Sequence, residues 1–148
     1  MSKEEVFMDT GLKNEALEFA RSAGVSVLAT ASKTKGVNAR VMQIVKVDDD
    51  FTVWFSTYSA SDKISEIKSV PKVCVIMSNY KVMTDIRFHG AVEIRTDQKT
   101  KDLFWQDDWV RFYPKGKTDP SYVMLKFTPA EIEFRNMTKY GMVAKRLK

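Results

Sequence analysis

The stretch Phe51-Thr-Val-Trp-Phe-Ser-Thr-Tyr-Ser-Ala-Ser-Asp-Lys63 reads as a strand running into a helix start. Phe51, Val53 and Phe55 fall on one side and Thr52, Trp54 and Ser56 on the other, the period-two pattern of a strand rich in β-branched and aromatic residues. Ser56, Thr57, Ser59 and Ser61 follow within a few positions. Then come Lys63 and an amphipathic run, Ile64 to Val70, stopped by Pro71. A strand that ends in hydroxyls and enters a helix with a lysine in its first turn can cradle an anion. Free N–H groups, the helix dipole and an ammonium would all point at one place. The plainer reading makes Ser59 or Ser61 an N-cap, with Ser59-x-x-Asp62 as its capping box.

Outward from this stretch, residues 1–11 read as a lead-in and Leu12 to Ala23 as a helix with one apolar stripe, stopped at Gly24. Val25 to Ala31 and Val37 to Val47 form a hairpin around the turn Ser32–Gly36. In the second strand Arg40, Met42, Ile44 and Lys46 share one face, and Ala39, Val41, Gln43, Val45 and Val47 the other. After the 51–57 strand and a helix from about Ser61 to Val70, Lys72 to Ser78 is apolar enough for burial on both faces. Thr84 to Thr96 is a long strand with a bulge or close backbone approach expected at Gly90. Asp97 to Phe112 reads as helix, Tyr113 to Pro120 as loop, and Ser121 to Thr128 and Glu131 to Met137 as strands parted by Pro129, before a basic tail over 138–148. About seven strands and three helices without a βαβ repeat favour a mainly antiparallel sheet, closed or nearly closed into a small barrel with peripheral helices.

The chain has 148 residues, enough for one domain with a substantial core. No apolar run is long enough to span a bilayer, and Met-Ser-Lys-Glu-Glu lacks a signal peptide's apolar segment, so a cytoplasmic location is the expectation. The single cysteine, Cys74, excludes an internal disulfide and reads as a buried strand residue. The net charge of +5 permits polyanion binding, but the lysines are scattered, and a small anionic ligand fits as well.

Arg40 lies in the middle of an apolar strand. Within a barrel mouth it needs an anionic partner, because an unpaired buried charge is costly. The hairpin and the 51–57 strand are expected as sheet neighbours, which brings Arg40 near Ser56 and Thr57. One guanidinium, one ammonium and several hydroxyls then converge, the usual equipment for a phosphate monoester. His89 is the only histidine, so two-histidine metal sites and a hydrolytic triad lack support, and no residue stands out as catalytic. Trp105, Trp109, Phe112 and Tyr113 suit a core, or a flat wall for a ring system or a dimer contact.

In order, Ala39-Arg40-Val41-Met42-Gln43, Val53-Trp54-Phe55-Ser56-Thr57, Ser61-Asp62-Lys63, Val70-Pro71-Lys72-Val73 and Gly90-Ala91-Val92 resemble the FMN-binding split-barrel family, which includes pyridoxamine 5′-phosphate oxidase. Trp105…Trp109…Phe112-Tyr113-Pro114-Lys115-Gly116…Asp119-Pro120 looks like its general stress protein 26 branch. The resemblance implies a split β-barrel of six to seven antiparallel strands and a homodimer with FMN at the subunit interface. It implies phosphate ligands at Arg40 and Lys63, phosphate or ribityl contacts from Ser56, Thr57 and Ser61 beside Phe55, and the backbone of Val41, Met42 and Gln43 along the isoalloxazine edge. Asp62 stands where the oxidase often carries an arginine, and the oxidase's substrate-binding C-terminus is not recognisable, so vitamin B6 oxidation is not carried over. The expected function is a flavoprotein exchanging electrons with a small-molecule donor or acceptor. The alternative is a non-enzymatic flavin carrier or sensor in a stress response. Single-stranded nucleic-acid binding ranks last, because basic and aromatic residues do not interleave along one strand.

Overall fold

The computed structural model describes residues 9–148. Asp9 caps α1 (Thr10–Ser22), its side chain accepting from the Leu12 N–H, while Ala16, Leu17 and Ala20 form the buried stripe. The helix therefore begins at Thr10, ahead of the expected Leu12. Residues 1–8 of the expected lead-in lie outside the described residues.

β1 (Val25–Ser32) and β2 (Gly36–Gln43) form the expected hairpin, paired from Val25↔Gln43 to Ser32↔Gly36. The strand expected over 37–47 is broken. Its continuation, β3 (Lys46–Val47), pairs with β4 (Val53–Tyr58) at the far end of the strand order β2-β1-β5-β6-β7-β4-β3. Between them, the Ile44 N–H donates to the Gly24 carbonyl and the Val45 N–H to the Trp54 carbonyl. One stretch of chain thus serves both edges of the sheet. This corrects one expectation: β2 and β4 are not hydrogen-bonded neighbours. The sheet is mainly antiparallel, as expected, and no ladder closes it.

α2 (Asp62–Ser69) leads into β5 (Lys72–Asn79) and β6 (Thr84–Arg95). α3 (Gln98–Phe104) ends at Trp105, whose extended backbone breaks the helix expected over 97–112, and two short 3-10 turns follow. β7 (Tyr122–Asn136) runs straight through Pro129, where two strands were expected. The register opposite it shifts between His89 and Gly90, and Gly90 pairs with Pro129, so the missing proline N–H falls where the ladder is already irregular. α4 (Met137–Tyr140) and β8 (Lys145–Arg146, paired with β7) occupy the expected basic tail, giving eight strands and four α-helices among the described residues.

The main core is fully buried at Leu28, Phe55, Val75, Phe88, Leu125 and Phe127. A second cluster gathers Trp109, Tyr113, Tyr122 and Met124, with Trp105 and Trp54 packed against it. The expected aromatic set is therefore core at Trp109 and Tyr113, while Phe112 stays exposed. β5 is buried on one face only, through Val73, Val75 and Met77, which corrects the reading of burial on both. Cys74, expected buried, is half-buried, and Ile76 is exposed. In register with them lies an outward apolar row, Val41–Val27–Ile76, flanked by Val25 and Val37, all exposed. No helix among the described residues is long and apolar enough to cross a membrane.

Candidate functional site

β4 carries Thr57 near its end and α2 begins five residues later. Ser61 takes the N-cap position with extended backbone, but its side chain makes no cap hydrogen bond. Its hydroxyl instead donates to the Tyr58 carbonyl (2.9 Å) and accepts from Lys63 Nζ (3.1 Å). Lys63 Nζ also donates to Thr57 Oγ1 at 2.8 Å. The ammonium is thus held between a strand-end hydroxyl and a helix-start hydroxyl, and the N-cap explanation fails for the Ser61 side chain.

Arg40 reaches the same place from β2. Its Nη1 donates to the Leu28 carbonyl (3.2 Å), Thr30 Oγ1 (2.7 Å) and the Asn38 carbonyl (3.5 Å), and its Nη2 donates to Glu66 Oε1 (2.9 Å). Burial, and then the positive charge of Arg40, hold the Lys63 pKa below its ordinary value, with Asp62 acting in the opposite direction. Arg40, bonded to Glu66 one helical turn after Lys63, is thus close enough for its charge to act on the ammonium, even though β2 and β4 are not ladder partners.

Glu66, which the sequence reading missed, is the anion already present. One of its oxygens accepts from Arg40, Thr30 Oγ1 (3.1 Å) and Asn38 Nδ2 (3.4 Å). Burial pushes its pKa up, but the bonds from Thr30, Arg40, Asn38 and Ser32 outweigh that and leave it lowered, so the carboxylate stays ionised at neutral pH. The signal was readable: Glu66 lies three residues after Lys63 on a helix, and Thr30 pairs with Asn38 across the hairpin, two residues from Arg40 on the same strand face.

Of the other expected site residues, Met42 points inward and is buried, while Val41 and Gln43 are exposed on the outer face of β2. Phe55 is fully buried, so its side chain belongs to the core and not to the site. Ser56 alternates to the face opposite Thr57 and hydrogen-bonds Tyr113, whose pKa burial raises. Full burial thus removes Phe55 and strand pleating removes Ser56, leaving Arg40, Thr57, Ser61 and Lys63 around the start of α2. Ser59 contributes a backbone N–H to the Ser121 carbonyl. His89, exposed on β6, sits opposite Cys74 and away from the cluster.

The sequence model of the family described as "Pyridoxamine 5'-phosphate oxidase like" matches residues 13–145. The chain is 27% identical over 128 residues to General stress protein 26 of Bacillus subtilis (strain 168), covering 84% of this chain and 89% of that protein. A Clostridium acetobutylicum protein related to general stress protein 26 superposes with a TM-score of 0.80 at 22% identity, covering 94% of this chain and 96% of the other. A Nostoc punctiforme PCC 73102 protein described as pyridoxamine 5'-phosphate oxidase-related and FMN binding superposes with a TM-score of 0.74 at 17% identity, over 93% and 87%. At these identities the two superpositions speak for the fold.

Proposed function

Because this chain belongs to the pyridoxamine 5′-phosphate oxidase-like family, we propose that it is a flavoprotein. It holds the phosphate of FMN between Arg40 and Lys63, and the ring along the backbone of Val41, Met42 and Gln43. One observation carries this reading: α2 gathers a guanidinium on Glu66 and, one turn earlier, an ammonium already fixed by Thr57 and Ser61. The donor set suits the group. Among the described residues Arg40 spends its Nη1 and one Nη2 hydrogen inside the fold, leaving its Nε–H side for a bound oxygen. When bound, FMN supplies the one- and two-electron redox chemistry of its ring, and the protein's part is to hold and orient it. Titration with FMN and riboflavin, followed by flavin fluorescence, tests the assignment. FMN is expected to bind more tightly, and equal affinity for the two would remove the phosphate site. Bleaching of the bound flavin by NAD(P)H and its reoxidation by an acceptor would mark an oxidoreductase; a flavin inert to both would mark a carrier.

The pH dependence has a definite sign. The lowered Lys63 pKa means the ligand-free folded chain binds fewer protons there than the unfolded chain, between the depressed value and the ordinary value of 10.5. Stability from this group is therefore lowest below that window and rises through it. Anion binding runs the other way, because only the ammonium attracts phosphate. FMN affinity should hold at neutral pH and fall as pH rises through the window. Lys63→Ala should flatten that profile, and an unchanged alkaline fall in the variant would assign it to another group.

We further propose that two copies pack through the outer faces of β1, β2 and β5. The row Val41–Val27–Ile76 supports this, since a contiguous exposed apolar face is costly in water and Gln43 and Val41 border the proposed ring position. Val27→Glu should weaken association by about tenfold or more, because a charge would be buried in an apolar contact. Sedimentation velocity would show it, and a wild-type chain that is monomeric at micromolar concentration would refute the interface.

A further inference from the structure

The outer face of the sheet carries a second polar cluster, away from the cradle. The register sets Ile76 opposite Arg87 and Arg87 opposite Glu133; in the next row it sets Ser78 opposite Asp85 and Asp85 opposite Arg135. Residues two apart on one strand share a face, so Asp85 adjoins Arg87 along β6 and Glu133 adjoins Arg135 along β7. Unlike charges therefore meet both along and across the strands. Arg87 Nη2 donates to Glu133 Oε2, and Arg135 donates through Nε (3.0 Å) and Nη2 (2.6 Å) to Asp85 Oδ2. With Asp85 only 17% and Arg135 29% exposed, the block is not a set of fully hydrated surface charges.

These four side chains line a cavity of about 320 Å³. Ser78 and Tyr80 bring hydroxyls to it, and Ile76 and Met142 give it an apolar wall. The volume lies at the small end of ligand sites, roughly 300–1,000 Å³. Each ion pair uses only part of each group. Glu133 Oε1, Asp85 Oδ1 and the Nε and Nη1 of Arg87 take no hydrogen-bond partner among the described residues. A carboxylate accepts on both oxygens and a guanidinium donates from three nitrogens, so both signs have open valences here. Because Arg87 and Glu133 are bonded to one another, the open acceptor and the open donors lie side by side. Their complement is a cation and an anion carried on neighbouring atoms. An α-amino acid has that arrangement, since its ammonium and carboxylate share one carbon, and its side chain is left for the apolar wall.

We propose that this pocket binds a free α-amino acid with an apolar side chain. The ammonium sits on Glu133 and Asp85, the carboxylate on the open edge of Arg87, and the side chain against Ile76 and Met142. Arg40 points to the inner face and Ile76 to the outer, so the site is separate from the cradle and needs no flavin. Ile76 also ends the apolar row proposed as the contact between copies, which puts the pocket at the rim of that contact.

The test is a titration of the purified chain by heteronuclear NMR and calorimetry. The ligands are leucine and ε-aminocaproate, isomers with the same charges held close together in one and far apart in the other. Leucine is expected to bind with a Kd of about 1 mM or tighter and to move amide signals of β5, β6 and β7. ε-Aminocaproate, isocaproate and isoamylamine should each bind at least about tenfold more weakly, because each leaves one charged partner unmatched. Glycine, which has no side chain for the wall, should bind several-fold more weakly. Arg87→Gln and, separately, Glu133→Gln should each weaken leucine binding by at least about fivefold, with thermal unfolding showing a folded chain in both. No leucine binding up to about 10 mM, equal affinity for leucine and ε-aminocaproate, or full affinity in both variants overturns the site. Signals that move around Arg40 and Lys63 and not on β5 to β7 overturn it as well.

Discussion

Gly90→Ala should lower the stability of the chain by about 3 kcal/mol, near the upper end of what overpacking costs. A Cβ at Gly90 would lie 2.2 Å from the Thr128 carbonyl oxygen and 2.9 Å from two atoms of the Phe127 ring. The first contact is with backbone. Thr128 pairs with Ala91 of β6, and its neighbour Phe127 is the last β7 residue paired with β4, so it cannot retreat without straining the β6 ladder and the end of the β4 ladder. Phe127 is fully buried and packs edge-on against Phe88, which leaves the ring no free volume to take. Gly90 has no positive φ, so the penalty is steric and not conformational. For a chain of this size the loss corresponds to a fall in Tm of roughly 6–12 °C. Urea unfolding should show a lower midpoint with the slope unchanged. The same exchange at Gly11 makes the contrast. There the nearest atom is an exposed Asp9 carboxylate oxygen at 3.3 Å, on a helix, and Gly11→Ala should stabilise by roughly 0.5 kcal/mol. A wild-type midpoint for Gly90→Ala would mean that β6 and β7 do not approach as closely as described.

Gly90 also shows what the sequence could and could not carry. Its place in an apolar strand run announced a bulge or close approach, and both occur, because a glycine there has few other physical uses. Pro129 misled for the complementary reason. Its ring argues against a central strand only where its N–H is needed, and need depends on the partner strand, which local sequence does not specify. The break at Ile44–Val45 was hidden in the same way. Both residues suit a strand, and only the three-dimensional requirement that one segment serve two edges interrupts the pairing. In the site, alternation was enough to put Arg40 inward. Alternation applied to β4 would also have separated Ser56 from Thr57, but the run of hydroxyls obscured it. Glu66 was missed because an acid one turn into an exposed amphipathic helix normally faces water.

Arg40→Ala and Lys63→Ala should each weaken FMN binding by about 1.5–3 kcal/mol, the range for hydrogen bonds to a charged partner, and should leave riboflavin binding nearly unchanged. The two variants differ in what they leave behind. Lys63→Ala removes a cation whose partners are the hydroxyls of Thr57 and Ser61, which can turn to water or to the ligand, so its effect should fall on the phosphate alone. Arg40→Ala removes a side chain that also ties β2 to the Leu28 carbonyl and Thr30, and it strips Glu66 of its cation in a half-buried place. Its effect should therefore include a loss of stability and, with Glu66 unopposed beside Lys63, a further penalty on any anion. Arg40→Lys keeps the charge but not the planar fork, and should recover stability better than affinity. The double variant is the decisive measurement. If both cations hold one phosphoryl group, their losses are coupled, and the double variant should bind FMN no better than riboflavin. Independent losses that add, with FMN still preferred over riboflavin, would place the phosphate elsewhere on the chain.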